Sequence, residues 1–236
     1  SGVKSANSVR YTSGNRSFDA TGLQLDYVYN FPKDGEQLTA NGNYFSGKTP
    51  SNQLYTTNYL DGSSVAGTQV QQVINDGNIK FLTLQTDYAL PFGKQKQSKL
   101  ETSSRFQQHK ITQNNDNFIG TTNGNLEKIP TGTNDYQSTD NVFAGYLSVK
   151  STIKNFGYQL GVRAESSNYN GELTNTAEKF SNKYPVSLFP SLFLSQKLKN
   201  SQELQFSYTR RINRPNFFQL IPFTDYTDSL NITRGN

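Results

Sequence analysis

The chain contains no cysteine, no methionine, no tryptophan and a single histidine. The missing cysteine excludes disulfide frameworks, zinc ribbons and thiol nucleophiles together. His109 alone cannot build a multi-histidine metal site. Apolar residues are scarce too: 33% hydrophobic content and a mean hydropathy of −0.72 over 236 residues argue against a large ordinary core. The longest apolar run, residues 142–147, falls far short of the ~20 residues of a membrane-spanning helix. Strands are not excluded, because each crosses a bilayer with only ~9–11 residues of alternating character. What the chain does hold is aromatic surface, 16 Phe and 14 Tyr, more than a solvated disordered segment needs. Its net charge is +5, yet the 23 basic residues are dispersed among 18 acidic ones, and without a basic stripe no nucleic-acid partner is expected. It opens at Ser1 without an apolar leader, which suggests a processed or excised piece.

One pattern recurs along the chain, and its period is two. Leu23, Leu25, Tyr27, Tyr29 and Phe31 alternate with polar Gln24, Asp26 and Asn30, and after the turn Pro32-Lys33-Asp34-Gly35 the alternation returns in Leu38, Ala40, Gly42 and Tyr44. Alternating runs joined by turn chemistry read as a hairpin. A second hairpin runs through Leu82, Leu84, Tyr88, Leu90 and Phe92, turns near Gly93 and returns over residues 100–106. A third pairs Phe143, Gly145, Leu147, Val149 and Ile153 with Phe156, Tyr158, Leu160, Val162 and Ala164 across Lys154-Asn155. The fourth joins Leu192, Leu194 and Leu198 to Leu204, Phe206 and Tyr208. These hairpins predict an all-β antiparallel meander of about eight strands.

Between hairpins, residues 46–78, 111–140 and 168–184 are rich in Asn, Thr, Gly and Ser and read as long polar connections. Short turns alternating with long loops are unusual in a compact soluble domain but normal in an outer-membrane barrel. The competing architecture is a soluble β-sandwich serving as a ligand-binding or adhesion module. The barrel reading places Leu23, Leu25, Tyr27, Leu82, Leu84, Tyr158, Leu160, Val162, Leu204 and Phe206 against lipid, with Gln24, Asp26, Gln85 and Arg163 facing the lumen. Tyr29, Phe31, Tyr44, Phe92, Phe156 and Tyr208 stand near strand ends, where interfacial girdles belong.

No catalytic constellation emerges, so no enzyme activity and no cofactor are expected. Asp26, Asp87, Glu101 and Glu165 lie on polar strand faces with Arg105 and Arg163 as neighbours, which favours cross-strand ion pairs over an acid and base couple. His109 has no nucleophile motif beside it and reads as a solvated or lumen-facing side chain. Gly62-Ser63-Ser64-Val65-Ala66-Gly67 misses the spacing of a nucleophile elbow, and Asn114-Asn115-Asp116-Asn117 lacks that of a calcium loop and reads as polar loop. Tyr55, Tyr59, Tyr136 and Tyr169 fall in the polar connections, as ordinary loop surface or as stacking groups for a ligand.

The C-terminal stretch adds a resemblance. Tyr208-Thr209-Arg210-Arg211-Ile212-Asn213-Arg214-Pro215, the later Leu220-Ile221-Pro222-Phe223 and the closing Gly235-Asn236 resemble the barrel of TonB-dependent outer-membrane receptors of the Bacteroidota type. There an aromatic-x-x-Arg-x-x-Arg-Pro strand end runs into a Leu-x-Pro-Phe loop and a Gly-Asn segment that opens the next strand; Leu188-Phe189-Pro190-Ser191-Leu192 resembles the preceding strand. The resemblance implies that residues 1–236 are one partial transmembrane barrel, without its plug domain, from a bacterial outer-membrane receptor that takes up an unidentified small ligand. Its implied partners are outer-membrane lipid, a plug domain and the TonB system. Candidate ligand-binding residues are Arg163, Arg211 and Arg214. Pro215 cannot donate to a ladder, so pairing is expected to stop near it. Phe217, Phe218, Leu220, Ile221 and Phe223 are then expected to fold back over the barrel mouth or the plug, with Arg211 and Arg214 held by carboxylates or carbonyls at the lumen rim.

Overall fold

The computed structural model of the chain describes residues 7–93, 97–121, 124–130, 133, 135–212, 224–225 and 233–234. Eleven strands form one sheet: β1 Asn7–Arg16, β2 Asp19–Asn30, β3 Gln37–Lys48, β4 Ser51–Asp61, β5 Ser64–Phe92, β6 Ser98–Gly120, β7 Glu127–Lys128, β8 Tyr136–Ile153, β9 Phe156–Leu173, β10 Glu178–Lys197 and β11 Glu203–Thr209. Two-residue strands β12, Thr224–Asp225, and β13, Thr233–Arg234, pair separately. Every pairing is antiparallel. Because β5 pairs β3 over 78–89 and β4 over 64–75, β3 and β4 are one line broken at Thr49-Pro50. Likewise β1 and β2 form one line broken at Ser17-Phe18, with the Ser17 amide donating to the Pro50 carbonyl over 3.1 Å. Counted as lines and without the short β7, the sheet is the expected meander of about eight strands, open among the described residues. Gly77 is buried opposite this break, where an added Cβ would collide with the Thr49 hydroxyl.

The turns at one end lie where the sequence puts them: residues 31–36, at Gly93 after β5, residues 154–155 and residues 198–202. Left-handed conformations at Gly35 (φ 80°), Gly93 (φ 84°) and Lys154 (φ 55°) close the first three, and Asn200 (φ 61°) sits in the fourth.

At the other end the expectation of long loops is overturned for 46–78 and 168–184, while between β6 and β8 a shorter connection, 121–135, carries only the two-residue β7 among its described residues. Residues 46–78, 111–140 and 168–184 are largely strand: β4 and β5 turn sharply at Gly62 (φ 64°), β6 runs to Gly120, and β9 and β10 leave only 174–177 between them. Asn114-Asn115-Asp116-Asn117 lies inside β6, and Tyr55, Tyr59, Tyr136 and Tyr169 are all on strands. These extensions lack alternation because water reaches both of their faces, which removes the period-2 signal without removing the ladder. One apolar knot stiffens them: Tyr136 is 2% exposed and packs with Leu173, Ile111 and Phe180. Burial pushes the Tyr136 phenol well above its ordinary range, so it stays protonated and donates to Gln113 Oε1 over 3.4 Å.

Polarity across the sheet is inverted relative to a soluble domain. Leu23 and Leu25 are 70% and 72% exposed, whereas among the described residues the most buried side chain is Ser148 at 1%, and more polar than apolar side chains are buried, Ser167 and Glu165 among them. The register explains this. Leu25, Gly42, Leu84, Phe106 and Phe143 form one cross-strand row, and Tyr29, Leu38, Tyr88, Leu147 and Val162 belong to another on the same face. Their neighbours one residue along, such as Asp26, Asn41, Gln85 and Arg105, point to the opposite face. On β5 the apolar face covers 82–92, about the ~9–11 residues that a tilted strand needs to cross a bilayer. Among the described residues no second sheet covers it, as a sandwich would require. Tyr29, Phe31 and Tyr88 pack edge to face beside the tight turns, at 4.7 and 5.9 Å, with Phe92 and Phe156 exposed at the same end, whereas Tyr208 lies at the end of β11 remote from its turn. The rings beside the turns form the interfacial girdle.

Candidate functional site

The polar face concentrates charge on β5, β6, β8 and β9. In register, Gln85, Arg105, Ala144 and Glu165 form one row, and Asp87, Ser103, Tyr146, Arg163 and Phe189 the next. Arg163 grips Glu165 with both Nε, at 2.7 Å, and Nη2. Glu165 is only 6% exposed, so this charge-assisted bond supplies the compensation that a buried carboxylate requires. Gln85 Nε2 donates to both oxygens of Asp87, at 3.1 and 2.9 Å. Asp26 accepts from Gln24 Nε2 at 2.7 Å and from Asn41 Nδ2.

The expected cross-strand ion pairs are therefore not what forms. Arg163 and Glu165 are two residues apart on one strand, as are Lys99 and Glu101, whose atoms lie 2.6 Å apart. The register is the cause: across the ladder, Glu165 meets Ala144, Asp87 meets Ser103, and Glu101 meets Ser148. No opposite charge stands there to be paired. Arg105 is left next to the gap over Ala144, with its Nε buried and unbonded among the described residues.

Above this charged wall runs an aromatic shelf on the same face. Phe45 stacks between Phe18 and Phe81 at 6.1 and 5.8 Å, and Phe81 meets the His109 ring edge to face at 4.7 Å. The row continues through Asp140 to Tyr169, which packs on Phe180 at 5.9 Å. His109 thus faces the lumen as expected, but inside β6 and packed on a ring. Sequence reasoning overlooked this shelf. Its signal was the interruption of strict alternation at Tyr44-Phe45 and Phe81-Leu82.

Of the three arginines singled out, Arg163 lies in the wall. Arg211 follows the end of β11 and is exposed. Arg214 lies outside the described residues, as do Pro215, Phe217, Phe218, Leu220, Ile221 and Phe223. The neighbouring Arg210 takes the rim position: its amide donates to the Pro190 carbonyl over 3.2 Å and its guanidinium lies 5.9 Å from the Phe189 ring centre. A groove of about 650 Å³ is walled by outward-facing Leu25, Leu84, Phe106 and Phe143. It opens on the apolar face, away from the charged wall, and is not the candidate site. Among the described residues no cluster of three metal-ligating side chains occurs.

An open antiparallel sheet, apolar on one face over a membrane's thickness and polar on the other, is a section of a transmembrane β-barrel. Residues 29–236 match the outer membrane protein β-barrel family, and the chain belongs to it. Its place is the bacterial outer membrane, with the apolar face against lipid. No curated protein matches it. Among solved structures it is similar to the ferric citrate transporter FecA in its unliganded form, at 14% identity and a TM-score of 0.41. That similarity covers 81% of this chain and 35% of the transporter, so the chain spans about a third of that protein's length. In outer-membrane β-barrels generally the short turns are periplasmic and the longer connections extracellular, the orientation we assign to the strand extensions.

Proposed function

We propose that this chain forms part of the wall of an energised outer-membrane receptor of the TonB-dependent, Bacteroidota type, and that the wall binds and guides ligand without catalysing a reaction. The observation that carries this reading is the lumen face itself, where a charged wall of Arg105, Arg163, Glu165 and Asp87 lies below a shelf of aromatic rings. Such a face offers hydrogen bonds and stacking to a polar solute and equally to a plug domain. The Tyr208 to Pro215 pattern supports the receptor class. A plug and the TonB system are its proposed partners, and the chain is proposed as one section of a longer barrel.

The test uses the complete protein in its native host. A deletion strain is complemented with wild type or with Arg163→Ala/Glu165→Ala, and accumulation of metal chelates, glycans and peptides too large for porins is measured. At least one solute class should depend on the protein, and its uptake should collapse when a protonophore discharges the inner membrane. The double variant should cut that uptake about tenfold or more, the loss expected for a charge-assisted contact, while keeping the heat-resistant mobility of a folded barrel. Uptake indifferent to the protonophore would overturn the energised receptor, and unchanged uptake in the double variant would remove the wall's role.

A further inference from the structure

Just outside the apolar band, the outward face changes character in one step. Tyr44 and Leu82 end the apolar rows on β3 and β5. The next outward row reads Thr21, Ser46, Lys80, Lys110, Thr139 and Asn170, in direct cross-strand register. Lys80 and Lys110 are thus directly opposite each other, both exposed. Like charges so placed destabilise a sheet, with side chains only ~5 Å apart at their roots. Lys48 stands one diagonal step from Lys80 and adds a third positive charge. None of the three forms an ion pair among the described residues. The nearest carboxylates in register are Asp19, across from Lys48, Asp76, one diagonal step from Lys48 on β5, and Glu172, which accepts from Gln137 at 3.4 Å. None of them stands in the row of Lys80 and Lys110.

We propose that Lys48, Lys80 and Lys110 form a site for the phosphate of a phosphorylated glycolipid in the outer leaflet. The level fits: Lys80 lies one side-chain row, ~7 Å, beyond Leu82, and Lys110 opposite it stands beyond Phe106 and the intervening Gln108, where headgroup phosphates sit above hydrocarbon. Charge complementarity fits, since a phosphate between the two ammonium groups turns a repulsive pair into a bridged one. A neighbouring feature selects a sugar-bearing headgroup. Adjoining Lys110 is a groove of about 600 Å³, far larger than a phosphate needs, lined by Thr112, Gln137, Thr139, Asn170, Glu172 and Lys179 among others. These are hydroxyl, amide and charged groups of the kind that hydrogen-bond a saccharide. The Ser46 and Thr139 hydroxyls flank the lysine pair along its own row.

The experiment uses the full-length protein extracted from its own membrane and washed in neutral detergent. Wild type is compared with Lys80→Gln/Lys110→Gln and, as a control on the same outward face outside the site, Lys183→Gln. Bound phosphate and glycolipid sugar per protein are measured, then rebinding to neutral phosphatidylcholine vesicles, vesicles with added phosphatidylglycerol, and vesicles with added lipopolysaccharide. The proposal expects stoichiometric retained glycolipid in wild type and control, preferential binding to the lipopolysaccharide vesicles, and about thirtyfold weaker binding in the double variant, from about fivefold per lysine. Heat-resistant mobility confirms that each variant remains a folded barrel. Equal glycolipid binding by the double variant would overturn the site. Phosphatidylglycerol vesicles bound as tightly as lipopolysaccharide would overturn the glycolipid assignment, and full displacement by millimolar inorganic phosphate would make the site one for free anions.

Discussion

Leu25→Arg should prevent stable insertion of the barrel while Gln24→Arg, one residue away, leaves it intact. Leu25 is the most exposed large apolar side chain among the described residues and lies within the apolar band, flanked on its face by Leu23 and Tyr27. An arginine on the lipid face of a barrel costs about 2–4 kcal/mol at mid-bilayer, falling toward the interfaces. That is a large fraction of the margin by which a barrel is held folded. Gln24 points to the lumen and already donates to Asp26 over 2.7 Å, so an arginine there finds a carboxylate within reach and water around it. Urea unfolding in vesicles, read by heat-resistant mobility on gels, measures both. A soluble sheet would tolerate Leu25→Arg at least as well as Gln24→Arg, because the leucine would be a surface residue.

The second large effect is local. Gly171→Val should loosen the outer end of the hairpin formed by β9 and β10 without unfolding the membrane-spanning part. Phe180 lies directly across from Gly171, and its ring covers the glycine so closely that any Cβ would collide with it. Displacing the ring removes a side of the knot built by Tyr136, Leu173 and Ile111. Overpacking of this kind costs about 1–3 kcal/mol, concentrated in a segment with few other apolar contacts. Protease added to intact cells should then cut between β9 and β10, near residues 174–177, while wild type resists. Gly171→Ala, with a smaller clash, should fall between them.

Much of this architecture was legible in the sequence because the bilayer enforces it. Within the band each strand must show lipid one face, so Leu23 to Phe31 and Phe156 to Ala164 alternate without ambiguity, and the turns at Gly35, Gly93 and Lys154 announce themselves. Outside the band that constraint ends. Residues 46–78 carried other strand signals, namely Tyr55-Thr56-Thr57, Val70-Gln71-Gln72-Val73-Ile74 and an Asp61-Gly62 turn, but no alternation to organise them. The wall was legible residue by residue and not in its pairing. Which carboxylate meets which base depends on register, and no local pattern shows that Glu165 faces Ala144 while Arg163 stands beside it. Tyr136 and Tyr169, apparent loop surface, became buried because the strands that carry them extend past the membrane and pack on each other.

The central claim is the sidedness of the sheet, and cysteine scanning measures it directly, since none of these 236 residues is a cysteine and any cysteine elsewhere in the protein can first be replaced by serine. Single cysteines placed in turn at residues 81–90 of β5, in the full-length protein in its membrane, are tested with a charged aqueous thiol reagent and with a bilayer-soluble quencher of an attached fluorophore. At positions 82, 84, 86, 88 and 90 the reagent should fail and the quencher succeed; at 81, 83, 85, 87 and 89 the pattern should reverse. Labelling without period two, or with the two sets exchanged, would contradict a barrel wall with Leu84 in lipid and Gln85 in the lumen.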